Sequence, residues 1–329
     1  MDKAEILDIR RDLVTRLHAL FERGNGHWAM AVDEFLIKQK LLFVMDEDRR
    51  PQNMVRHKAE AAWQNLPDFK GIAPKGFFFV KGAFSGPKYY LQPIERMVNN
   101  IDILANPSRV KPLYHALLER GCQLSDPALS RAYAADGPSA LSSTLNRALM
   151  TLHEFPSLLF NETEIDVNFR ILLRGTAPFE KRFNTSAIEK QFWVVTEQVI
   201  DKESQYFSAE INAIQMILHY FSEFSLNELE PDGILCVRLH KLVDLFLFSQ
   251  SKDVDWKMFW TCVEQIGCQN IVGEFLVLFE FIFGADTRFS GHIQPSDQTH
   301  IMYKGAFVAI TSETLFQLLQ MNVRDAFAK

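Results

Sequence analysis

The sequence predicts an α+β fold, a small mixed β-sheet flanked by an N-terminal and a C-terminal helical unit. Three observations carry this. Apolar residues recur at three- and four-residue spacing over residues 4–65, which is the helical period. Between Phe77 and Phe169 two stretches instead alternate apolar with polar, the period of a half-buried strand. From Ser208 onward the helical period returns. The boundaries that follow are 1–73 for the N-terminal helical unit, 74–175 for the sheet core and 176–329 for the C-terminal helical unit.

The elements follow in order. Ile6, Ile9, Leu13, Leu17 and Leu20 mark a first helix, which Gly24-Asn25-Gly26 breaks. A second runs from Trp28 to Val44, and a third begins at Arg49-Arg50-Pro51 and ends before Pro67. Pro74-Lys75-Gly76 introduces the strand Phe77-Phe78-Phe79-Val80; then come a glycine turn at Lys81-Gly82-Ala83 and a linker or short helix. Asn99-Asn100-Ile101-Asp102-Ile103-Leu104 is the second strand. Asn106-Pro107-Ser108 caps a helix from Val110 to Gly121, with Gly121 as its C′ residue. Ser125 to Ser143, rich in Ala, Ser, Gly, Pro and Asp, predicts surface loops. Strands resume over Leu145 to Leu152 and Leu158 to Leu173. Ser208 caps a helix through Phe221, and further helices cover Arg238 to Phe248, Trp256 to Gln265 and Ile271 to Phe283. Ser290 to His300 is polar and loop-like, and no internal repeat is visible.

Composition narrows the function classes. With 47% hydrophobic and 23% charged residues, the chain can bury a sizeable core. A net charge of −6 argues against a surface that seeks long nucleic acids, leaving room only for a small basic groove such as tRNA would need. The 28 phenylalanines fall mostly at helical or strand spacing and read as core packing. Cys122, Cys236, Cys262 and Cys268 form no C-x-x-C pair, so reduced thiols and a cytoplasmic location are expected. No run reaches the roughly 18 apolar residues of a membrane span. A Walker-type loop, a dinucleotide fingerprint and a serine-hydrolase elbow are all missing from the sequence.

The chemistry-bearing residues sit on the two alternating strands. Asn100 and Asp102, two apart, share one face while Ile101 and Ile103 face a core. In the later strand Glu164, Asp166 and Asn168 oppose Ile165, Val167 and Phe169. If the strands are neighbours, Asp166 joins Asn100 and Asp102 as a third oxygen donor for Mg²⁺ or Mn²⁺. The alternative is two solvated carboxylates on half-buried strands. Lys81 reaches phosphates or is a solvated strand end, and Gly82 allows close backbone approach. Arg96 neutralises phosphate or bridges to Glu95 or another surface acid.

Taken in order, these motifs resemble a poorly characterised bacterial nucleotidyltransferase family of the DNA-polymerase-β-like superfamily. The residues that carry the resemblance are Val80-Lys81-Gly82-Ala83, Arg96 through Leu104, and Ile165-Asp166-Val167-Asn168-Phe169. Ala209-Glu210 to His219, Arg238 through Leu245 and Asp255-Trp256 extend it over roughly residues 5–285. The resemblance implies transfer of a nucleoside monophosphate from an NTP to an unknown acceptor: a small-molecule, saccharide, peptide or protein hydroxyl. Asn100 then stands where the family has its first metal-binding Asp, Asp102 at the second and Asp166 at the third. Asn168-Phe169 replace the usual His-Trp. It also places His219, Arg238 and Asp244 at the nucleotide pocket, or has His219 and Asp244 tie the helical unit to the core by a hydrogen bond; a satisfied, partly buried His219 and a helix-face Asp244 are the other reading. The alternative function is a catalytically degenerate nucleotide-binding or protein-interaction module on the same fold.

Overall fold

The computed structural model describes residues 7–9, 11–16, 19, 54–91, 96, 98, 100–173, 177–200, 204–226, 239–252, 254–284, 298–303 and 306–311. The helix expected over Trp28 to Val44 and residues Arg238 and Cys236 lie outside them. The fold is α+β, as the sequence predicts. Chain contacts divide it into two compact units, Pro51–Arg174 with Phe192–Ser208, and Met1–Arg50 with Gly175–Gln191 and Ala209–Lys329.

The first unit holds a five-stranded mixed sheet. Its strands are β1 (Phe77–Phe79), β2 (Asn100–Ala105), β3 (Gln123–Leu124), β4 (Leu158–Phe160) and β5 (Thr163–Asn168), in the spatial order β1-β2-β5-β4-β3. Only the β2–β5 pair is parallel. A parallel pair needs a long crossover, and three helices supply it: Val110–Glu119, Pro127–Asp136 and Ser142–Thr151. Ile101, Ile103, Ile165, Val167 and Phe169 bury one face of the central pair against Phe69, Tyr114, Leu117 and Phe155. At the Leu104 end, Phe78 of β1 stacks on Phe207 with ring centroids 4.4 Å apart.

Several local expectations need correction. The helix Met54–Ile72 runs straight through Pro67. Pro67 removes one helical hydrogen bond, but stopping there would take Phe69, which is wholly buried, out of the core. The glycine turn after β1 is the first turn of a helix, α1 (Lys81–Tyr89). Residues 127–136, expected as loop, are helical: Pro127 follows Asp126, whose side chain accepts from Ala128 N and Leu129 N. That cap and the alanines outweigh a loop-like composition. Ser142–Thr151 is a helix and not a strand, with Leu145 and Ala148 buried at helical spacing. Gly121 does follow the end of its helix with φ +101°, in the left-handed region glycine favours.

The second unit is built around the helices Ala209–Leu226, Leu239–Gln250, Trp256–Ile266 and Gln269–Phe283. Ala209–Leu226 is buried almost all round, as a central helix must be. Thr299 and His300, expected in a loop, begin a strand (Thr299–Tyr303) that pairs antiparallel with Ala306–Ile310. Within this unit the buried Glu274 carboxylate is held by Arg182 at 2.6 Å and His300 at 2.9 Å. Among the described residues no helix is long and apolar enough to cross a membrane.

Candidate active site

The parallel pairing of β2 with β5 sets the site. Its register opposes Asn100 to Glu164, Asp102 to Asp166 and Leu104 to Asn168. Residues opposed in this way share a sheet face, so Asn100, Asp102, Asp166 and Asn168 project together, away from the isoleucines of the core. The structure therefore brings together the three oxygen-bearing residues singled out on the strands. Asn100 Nδ2 donates to Asp166 Oδ2, and Ser157 Oγ donates to Asp166 Oδ1 at 3.0 Å. Asn168 Nδ2 lies 3.5 Å from Asp102 Oδ1 and 3.3 Å from the carbonyls of Ile103 and Asp166. All three are acceptors, so the amide nitrogen must face them. Asn168 Oδ1 is left buried without a hydrogen-bond partner.

Lys81 completes the cluster from β1. Val80 N bonds to Asp102 O at 3.1 Å, which lays the end of β1 beside β2. Lys81 then turns the chain with φ 52°, in the left-handed region, and its carbonyl accepts from Ser85 Oγ. Its Nζ lies 2.7 Å from Asp102 Oδ1, with both side chains largely buried. A solvated strand end it is not. Gly82 serves packing: a Cβ there would stand 2.8 Å from Val98 Cγ2. Its φ is not in the left-handed region, so the missing side chain is the reason for glycine.

Glu154 joins the same face, unforeseen from the sequence. It bridges antiparallel to Asn168, and Phe155 N→Val167 O and Phe169 N→His153 O, both 3.0 Å, flank the pair. Glu154 and Asn168 are thus a non-hydrogen-bonded pair, whose side chains stand closest. His153 Nε2 lies 3.4 Å from Glu154 Oε2. That hydrogen bond holds Glu154 below the usual carboxylate range, helped by the charge of Lys81. Asp166 moves the other way, up to about 6, through burial and through repulsion from Asp102 and Glu154; Ser157 and Asn100 only partly offset this. Neither Glu154 nor Ser157 left a signal in the sequence, because each reaches the site by strand pairing with no local pattern of its own.

The remaining sequence candidates have these surroundings. Arg96 is buried. His219 and Asp244 are buried in the second unit; His219 Nε2 meets Glu223 Oε1 at 3.1 Å, and Lys241 Nζ bonds the other oxygen of Glu223. Among the described residues no three His, Cys, Asp or Glu side chains stand ready to hold a metal ion. The oxygen donors at hand are Asp102, Asp166 and the Asn100 amide.

A family model described as "uncharacterised nucleotidyltransferase" matches residues 76–284, about two thirds of the chain. The chain belongs to that family. The match starts at Gly76, ahead of β1, and closes at Gly284, after the helix Gln269–Phe283. It therefore takes in the whole polar face of the sheet and the helices that carry His219 and Asp244. No curated protein and no solved structure matches the chain.

Proposed function

We propose that the protein transfers a nucleoside monophosphate from an NTP to the hydroxyl of a small molecule, saccharide, peptide or protein. The observation that carries this is the Asp102–Asp166 register, with Asn100 and Lys81 on the same face. The donor set fits a hard divalent cation. Asp102, Asp166 and Asn100 offer oxygen ligands, and burial with the charges of Asp102 and Glu154 raises the Asp166 carboxyl, as a site that favours a cation would. These three residues would hold Mg²⁺ or Mn²⁺, which when bound stabilises charge on the phosphoryl oxygens.

The chain's own residues do the rest. Lys81 stands at the start of α1, and at a helix start backbone donors and the dipole favour anions. In the cation-free protein burial and neighbouring carboxylates push the Asp166 carboxyl up to about 6, and a bound cation would relieve that repulsion. The family resemblance also assigns Arg96, His219, Arg238 and Asp244 to nucleotide binding. One observation favours the second reading, a degenerate nucleotide-binding module: position 100 offers a neutral amide that is spent on Asp166.

Incubation of the purified protein with each labelled NTP, Mg²⁺ or Mn²⁺ and a cell extract tests this. Label should pass to an extract component with wild type and not with Asp102→Asn. NTP binding without transfer would leave the degenerate module. No NTP binding at all would overturn both.

A further inference from the structure

In the structure, every charged member of the metal-binding set is already engaged by the chain itself. Lys81 Nζ sits on Asp102 Oδ1 at 2.7 Å. Asn100 Nδ2 sits on one oxygen of Asp166 and Ser157 Oγ on the other. Of these partners, Lys81 carries a positive charge, so it competes with a divalent cation electrostatically. Its backbone is pinned, by the left-handed turn at Lys81 and by Ser85 Oγ on its carbonyl. Its side chain is a flexible four-carbon stem bearing a point charge. The ammonium can therefore swing about a fixed Cα.

From this we infer that Lys81 is a transferable counter-ion: it neutralises Asp102 in the empty site and passes to the triphosphate when nucleotide binds, so that nucleotide and cation each promote the other's binding. The inference rests on the metal-and-NTP reading above and adds the order of events. A cation arriving alone must displace an ammonium from a buried carboxylate. A cation arriving with a triphosphate meets an Asp102 that the phosphate charge has relieved of Lys81. The coupling is reciprocal by linkage.

Mn²⁺ titration of the full chain, read by electron paramagnetic resonance with and without a non-hydrolysable triphosphate analogue, tests this. Wild type should bind Mn²⁺ weakly alone, and about tenfold or more tightly with the analogue. Lys81→Met should bind Mn²⁺ alone about tenfold more tightly than wild type, and lose most of the coupling. Lys81→Gln, which keeps a neutral donor for Asp102, should behave likewise and serves if the methionine variant fails to fold. If neither variant binds Mn²⁺ more tightly than wild type, or if the coupling survives in them, the transfer of Lys81 is wrong. Asp102→Asn separates the two levels of the argument. If it leaves Mn²⁺ binding unchanged in every background, the metal reading itself fails. If it removes Mn²⁺ binding while Lys81 variants change nothing, only the counter-ion transfer fails.

Discussion

Replacing Asp166 by Asn should stabilise the cation-free protein at neutral pH. Burial and the charges of Asp102 and Glu154 raise the Asp166 carboxyl from 3.8 to about 6. The folded state thus binds a proton more tightly than the unfolded chain does. Stability from this group is fully present below about pH 4 and is lost as pH rises to about 6, beyond which ionisation costs the fold a constant amount. Two pK units correspond to about 3 kcal/mol. The side chain is partly exposed, and solvent screening reduces this to about 1–2 kcal/mol. Asn is nearly isosteric: its oxygen still accepts from Ser157, and its amide can donate to Asn100 if that side chain turns over. Urea denaturation of wild type and Asp166→Asn, in the presence of a chelator and across this pH range, reads the difference. The advantage of the variant should grow from about pH 4 to about pH 6 and then level off. An equal advantage at every pH, or none at neutral pH, would refute the charge argument. Added Mg²⁺ should stabilise wild type and not the variant.

Other perturbations follow from the same geometry. Asn100→Asp restores a ligand charge and should tighten Mg²⁺-dependent nucleotide binding about tenfold by calorimetry, while lowering chelator-treated stability by crowding Asp166. Asp102→Ala takes from the largely buried Lys81 ammonium its carboxylate partner at 2.7 Å and should cost about 3 kcal/mol in denaturant melts. Lys81→Met in the same chain should recover most of that loss. Gly82→Ala forces a Cβ to 2.8 Å from Val98 Cγ2 and should cost about 1–3 kcal/mol. Val98→Ala should relieve it in thermal melts, which a purely conformational role for Gly82 would not allow.

Sequence alone determined that the two central strands form and which of their faces is polar. Ile101 and Ile103 against Asn100 and Asp102, and Ile165, Val167 and Phe169 against Asp166 and Asn168, encode this through a two-residue period that needs no distant information. The long apolar helices near the C-terminus were legible for the same reason. Pattern failed where a helix is amphipathic but short and Ala- or Ser-rich, as at 127–136 and 142–151. There, capping by Asp126 and burial of Leu145 and Ala148 decide the conformation. The tertiary structure alone decided the β2–β5 register that opposes Asp102 to Asp166, the ion pair from Lys81 to Asp102 and the arrival of Glu154 beside Asn168. Each joins residues separated by intervening helices or turns. Their electrostatics depend on distances of a few ångströms that no local pattern specifies, because charge interactions are set by proximity in space and by burial.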